Sequence, residues 1–268
     1  MASEPTVDSL SEAFGFNVSP AFQAAIRAAI ARSPEDPQSG LHKFGLTLGG
    51  PLYSFVGGSA QSLRTTQMPP EFFPFAKRPG RPDAYIGFLV DSPTLEGPPN
   101  TTFALCVPEH SQRSGVVARD EQELFRWLGA HLDDLDNLGL SKGSSSYQAG
   151  EARDQRASMV TYQTADQMGV MVTPENAPLS LIHQELRCGL IEKREIDKVR
   201  QAGHSALRVG APGAALALAR DVTWWLGHRD HWFQLATELY EEAYAQLERP
   251  LLIRIARREW ARLYGRRS

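Results

Sequence analysis

The residues best spaced for chemistry are His228, Asp230 and His231, in the run "HRDH". Two imidazoles and one carboxylate would give a divalent metal three ligands, one short of a closed zinc site. The tripeptide also echoes the catalytic loop of protein kinases. That reading fails, because no asparagine follows at the required spacing and neither a DFG nor a Gly-rich phosphate loop exists. The plainer alternative is that Asp230 caps a helix that starts here and both histidines face water. His42, His110, His131, His183 and His204 are scattered along the chain.

Other chemistry is absent by pattern. There is no GxSxG elbow and no HExxH pair. Gly49-Gly50 and Gly57-Gly58 fit neither GxGxxG nor GxxxxGK[ST] and read as turns. Cys106 and Cys188 are the two cysteines, with no CxxC pairing, which describes two buried thiols in a reducing compartment. No acid–base–nucleophile set can be assembled from spacing. The sequence therefore points to a non-catalytic protein without a cofactor or metal.

Bulk properties narrow the class. At 268 residues, one or two domains and a sizeable core are expected. The chain is 42% apolar and 22% charged, as in an ordinary soluble globular protein, and its net charge of −3 gives no general pull toward nucleic acid or acidic membranes. The acidic, polar start "MASEPTVDSLSEAF" is unlike a signal peptide. No run approaches the ~18 apolar residues that span a bilayer. These features predict a cytoplasmic protein, which makes the sequons at Asn17 and Asn100 chance matches.

Two charged stretches remain as candidate surfaces. "RDEQELFRWLGAHLDDLDN" carries Asp120, Glu121, Glu123, Asp133, Asp134 and Asp136. It reads as an amphipathic helix with Leu124, Phe125, Leu128 and Leu132 on its apolar side. Such an acidic face would steer a basic partner. The C-terminal stretch carries Arg254, Arg257, Arg258, Arg262, Arg266 and Arg267, at a helix end where positive charge is favoured. Nucleic acid is the weaker reading for it, given the overall charge.

The positioning elements follow. "SPAFQAAIRAAIARS" predicts a helix with Ser19 as N-cap and Pro20 in its first turn. "FGLTLGGPLYSFVGG" predicts two short strands with tight turns. "EFFPFA", residues 71–76, predicts a buried corner that feeds the strand "AYIGFLVD" across the loop "KRPGRPD". "TTFALCV" is expected to pair antiparallel with that strand, and "SGVVARD" to add a short one. Ser141 to Ala157 reads as a linker, and "MVTYQTADQMGVMVTPE" as a β-hairpin around "ADQ". From residue 178 onward, amphipathic helices joined by short links predict helical hairpins, loosely like a tetratricopeptide layer. The organisation is thus α+β over residues 1–140, linker and hairpin over 141–177, and an all-α region over 178–268.

"PPEFFPFA", a charged glycine-containing loop and "YIGFLVD" together resemble the core of the SMI1/KNR4 family, the SUKH superfamily. Pro70, Glu71, Phe72, Pro74, Phe75, Tyr85, Gly87 and Phe88 carry the likeness, with Ile86 set between Tyr85 and Gly87. The resemblance implies a mixed or antiparallel sheet flanked by helices, acting as a binding module and not as an enzyme. Many members are immunity proteins that neutralise bacterial toxins by direct binding. On that likeness, a basic protein partner would meet Asp133, Asp134, Asp136, Glu121 and Tyr85. Two other readings stand beside it. A scaffold or regulatory protein would recognise its partner through the C-terminal helices, which hold Trp224, Trp225, Trp232 and Trp260. An uncatalogued enzyme would centre on His228 and His231.

Overall fold

A computed structural model describes residues 7–54, 62–78, 80–108, 110, 113–130, 132–140, 150–176 and 184–264. The chain is α+β and divides into two compact units. The described residues up to Arg64, with Phe72–Val107 and Val116–Asp154, form the first; Thr65–Glu71, Pro108–Gly115 and the residues from Gln155 onward form the second.

The first unit carries helices α1 (Val7–Phe14), α2 (Pro20–Ala31), α3 (Pro37–His42) and α4 (Gly50–Ser54) ahead of most of its sheet. The strands are β1 (Thr47–Leu48), β2 (Phe72–Arg78), β3 (Arg81–Leu89), β4 (Phe103–Cys106) and β5 (Gly115–Ala118), in spatial order β1-β2-β3-β4-β5. The β1–β2, β2–β3 and β3–β4 pairs are antiparallel. Helices α5 (Glu121–Trp127) and α6 (Leu132–Asn137) follow.

Helix α2 starts as its sequence dictates. The Ser19 hydroxyl accepts from the Ala21 and Phe22 amides, and Pro20 occupies a first-turn position that needs no N–H. Its buried face presents Phe22 to Phe75, Phe88 and Phe103, at centroid distances of 5.2, 5.0 and 5.5 Å. Phe88 also meets Phe14 and Phe16 edge-on, so aromatic packing joins the sheet to the N-terminal helices. Burying each such ring stabilises by roughly 1.5–3 kcal/mol.

Three local expectations change here. "EFFPFA" is not a corner: residues 72–76 lie inside β2, a strand paired on both sides, and a register shift between Pro74 and Ala76 accommodates the proline. The loop after it is short, because β3 already begins at Arg81. The second strand expected after Gly49-Gly50 is instead helix α4 over Gly50–Ser54, entered through Gly50 at φ +57°; residues 55–58 lie outside the described residues. The single helix expected over the acidic stretch is two. Gly129 at φ +99° turns the chain between α5 and α6, and the Ala130 amide closes back on the Phe125 carbonyl.

Residues 141–149 of the expected linker lie outside the described residues, but Glu151–Met159 form helix α7. In the second unit, α8 (Gln184–Glu192), α9 (Ile196–Arg208), α10 (Pro212–Leu226), α11 (Asp230–Gln246) and α12 (Pro250–Tyr264) follow, and each packs on the next. Helix α10 is apolar almost all round and correspondingly buried, Trp225 being the exception within it. None of the described helices is long and apolar enough to cross a membrane.

The β-hairpin expected over 159–175 is reduced to one antiparallel bridge, Tyr162 to Val170. The intervening turn holds Gln167 at φ 62° and Gly169 at φ 64°. Its backbone is held by distant side chains instead of by a ladder.

Candidate functional site

On α6, Leu135 is buried while Asp133 and Asp136, three residues apart, share the exposed side. Asp134 lies on the same short helix, and its side chain is outside the described residues. The rest of the acidic stretch is consumed locally. Asp120 caps α5 by accepting from the Glu123 amide at 2.8 Å, and Glu123 accepts from the Arg119 amide at 2.8 Å and pairs with its guanidinium. Glu121 is 6% exposed and accepts from the Ser19 hydroxyl. Burial pushes its carboxyl above the usual glutamate range, against the pull of that hydrogen bond. Glu121 therefore points inward, and does not join Asp133 and Asp136 on the surface.

Tyr85 sits half-buried in β3, registered with Lys77 of β2 and Cys106 of β4. The Lys77 ammonium lies 5.1 Å from its ring centroid. Burial raises its phenol pKa, with Cys106 and Asp83 adding to the shift. One strand position along, Arg78 stacks 5.1 Å from Trp127 at the end of α5. Tyr85 thus belongs to a cation–aromatic region, whereas Asp133 and Asp136 are the pair brought together by α6.

The second unit contains a polar cluster that sequence reading missed. Asp221 of α10 accepts from Arg187 Nε of α8 and from the Ala165 amide, both at 2.7 Å. Arg220 of α10 binds both oxygens of Asp166 at 2.9 Å and the Gly169 carbonyl at 2.6 Å. Arg187 also donates to the Gln163 carbonyl, and Arg156 of α7 to that of Met168 at 2.9 Å. Asp166 in turn accepts from Thr164 and the Met168 amide. Three helices therefore grip one turn, residues 163–169, through its carbonyls and its own aspartate. Burial opposes the charge on Arg220, but Asp166 and then Glu71 overcome this and hold the guanidinium protonated above its ordinary range. Burial raises the Asp221 carboxyl while Arg187 pulls it down.

Beside this cluster Tyr240 and Tyr244 stack with ring planes 4° apart, and burial lifts both phenols well above the ordinary range. Glu71 is buried with them. Carboxylates, phenols and guanidiniums in this density resemble catalytic equipment, but every member is sealed from solvent, with Asp166 the most exposed of the ion-paired four at 2%. The arrangement holds backbone in place. The sequence signal was the "RD" pair inside "GAALALARDVTWWL": two charges on an otherwise apolar helix must find partners.

His228 and His231 are exposed, and no group of three or more His, Cys, Asp or Glu is placed to hold a metal among the described residues. Asp230 is not a cap. It opens the first turn of α11, whose N-cap is Arg229 and carries no side-chain capping bond. Trp224 and Trp232 are core residues, Trp225 is 49% exposed, and the side chain of Trp260 lies outside the described residues. The sequence matches none of the protein-family models against which it was scanned, and no curated protein matches it.

Proposed function

We propose that this chain is a non-catalytic protein-binding module, with its N-terminal unit of SUKH type and its C-terminal helices arranged as hairpins. The observation that carries the reading is the outward pair Asp133 and Asp136 on α6, whose side chains have no ion pair or hydrogen bond among the described residues, whereas Asp120, Glu121 and Glu123 are spent on capping and burial. An acidic edge of this kind steers a basic protein surface and fixes its orientation. On the SMI1/KNR4 likeness the partner is a bacterial toxin, and the chain is an immunity protein that neutralises it by direct contact.

The test is capture from lysate by the tagged full chain, compared with the Asp133→Lys, Asp134→Lys, Asp136→Lys triple variant. One partner near one-to-one stoichiometry, lost in the folded variant and weakened by salt, supports the reading. Undiminished capture by the variant removes the acidic edge from the account.

A second reading has its own observation. Trp225, half exposed at the end of α10, is a large aromatic of the kind that anchors interfaces. A scaffold or regulatory role through the C-terminal helices predicts that Trp225→Ser alone abolishes capture, while the α6 variant binds normally.

A further inference from the structure

The hairpin of β2 and β3 carries three cations, Lys77, Arg78 and Arg81, and a single acid, Asp83. Asp83 pairs with Arg81 at 3.4 Å. Lys77 and Arg78 are held differently, each against a ring. The Lys77 ammonium lies against Tyr85 of β3 and the Arg78 guanidinium against Trp127 of α5, both 5.1 Å from the centroid. Arg78 is exposed, and Lys77, Tyr85 and Trp127 are half-buried, so all four reach the surface of the first unit.

Their hydrogen-bonding capacity is one-sided. An ammonium, a guanidinium and an indole N–H only donate, and a phenol donates as readily as it accepts. None of these four side chains makes a hydrogen bond or an ion pair among the described residues. A ring neutralises no charge; its quadrupole attracts the cation and fixes where it sits. Two positive charges are therefore preset at the end of β2, with two further donors beside them. Such preorganisation lowers the ordering cost of receiving an anion. Arginine, tyrosine and tryptophan are also the types that carry most of the binding energy at protein interfaces. The rest of the unit narrows the source of the anion. The chain's net charge is −3, and Asp133 and Asp136 stand exposed on α6, a few residues after Trp127. A nucleic-acid strand is negative along its whole length and meets repulsion beyond the two cations. A protein segment carries its acids only where the cations are.

We propose that the Lys77–Tyr85 and Arg78–Trp127 pairs form the docking surface for an acidic segment of a protein partner, which sets one carboxylate on each cation. Carboxylates two to four residues apart on an extended segment lie about 7–13 Å apart and reach both. The inference rests on the protein-binding reading above and names a second feature of that partner: beside the basic surface that meets α6, it presents an acidic one. Two patches of opposite sign fix its orientation as well as its approach.

The test uses the full chain and a blocked hexapeptide of alternating glycine and glutamate. The uncharged control has glutamine in place of glutamate, and a thymidine hexanucleotide is the nucleic-acid probe. Backbone amide and indole N–H chemical shifts are followed during titration, with the Trp127 indole identified by its loss in Trp127→Phe. Saturable shifts at the Trp127 indole and at the Lys77 and Arg78 amides are expected for the glutamate peptide, with the glutamine peptide at least about tenfold weaker. Lys77→Gln with Arg78→Gln is expected to lower the affinity by a similar factor, and Arg78→Lys alone to keep part of it, because the charge remains while the fork is lost. Equal binding of the two peptides, shifts centred elsewhere, or no saturable shift up to tens of millimolar overturns the assignment. Tighter binding of the hexanucleotide than of the glutamate peptide also overturns it and gives the surface to nucleic acid. The wild-type contrast between the two peptides decides the matter even where the double variant fails to fold. Failure of the peptide with α6-dependent capture intact removes this surface alone. Peptide binding without any captured protein keeps the surface and removes the reading beneath it.

Discussion

Pro74 of β2 lies directly opposite Gly87 of β3. Proline brings no N–H to the ladder, and a register shift follows it between Pro74 and Ala76. Glycine is what the facing position can hold: a Cβ at Gly87 would lie 2.5 Å from the Phe73 carbonyl oxygen and 2.9 Å from the Phe72 ring.

Gly87→Ala is therefore expected to destabilise the first unit by about 1–3 kcal/mol, the usual cost of overpacking. Denaturant midpoints compared with wild type check this. Ala at Gly80, where no heavy atom lies within 4 Å but φ is +70°, isolates backbone strain and should cost less. Equal losses at both positions would remove the close-approach explanation.

Arg187→Met should cost about 3–5 kcal/mol, because it leaves Asp221 buried without its cation. Asp221→Asn added to it should recover a substantial part, since asparagine still accepts from the Ala165 amide. The pH dependence has a fixed sign. Burial already raises this carboxyl, and removing Arg187 raises it further. A raised folded-state pKa stabilises below the unfolded value and loses that contribution as pH rises through the folded one. The defect of Arg187→Met should therefore shrink as pH falls toward the acid range. Unfolding curves across pH measure this, and a defect that grows in acid would contradict it.

Glu121→Gln should raise the unfolding midpoint at neutral pH. The folded-state carboxyl of Glu121 titrates above the usual value near 4.5, so the wild type loses stability relative to the variant as pH rises through that window. Below the usual value both states are protonated, and the difference should settle to a constant. The Ser19 hydroxyl that Glu121 accepts from also caps α2. Ser19→Ala should accordingly cost about 1 kcal/mol from the cap alone, and more in wild type than in the Glu121→Gln background.

Asp133→Lys with Asp136→Lys should leave thermal stability within about 0.5 kcal/mol of wild type, as exposed substitutions do. A larger loss by calorimetry would mean that these side chains support the fold, and partner-binding results on them would need reinterpretation.

Local signals were legible where the deciding residues are neighbours. Ser19 and Pro20 fix the start of α2, and the β-rich runs around Tyr85 and Phe103 predict the β3–β4 pair that forms. The outward position of Asp133 and Asp136 follows from helical spacing. What sequence missed was decided at a distance. Residues 160–172 alternate like a hairpin, yet Arg156, Arg187 and Arg220 take the carbonyls that a ladder would have used. Glu121 looked like part of an acidic face, but the partner that draws it inward is Ser19, about a hundred residues earlier. Pro74 suggested a break in the chain, and Gly87 across the ladder is what lets the strand continue.

The segmental make-up of the second unit bears on how the chain is made. Thr65–Glu71 belong to the same compact unit as α10 and α11, so Glu71 leaves the ribosome long before Arg220, Tyr240 and Tyr244 exist. At about 5–20 residues per second the wait is on the order of ten seconds. Throughout it Gln67 also lacks the Trp224 carbonyl to which it donates. The nascent first unit must therefore carry an unfinished stretch of its neighbour through most of translation. The helical unit therefore completes its contacts to Gln67 and Glu71 only after α10 and α11 have emerged.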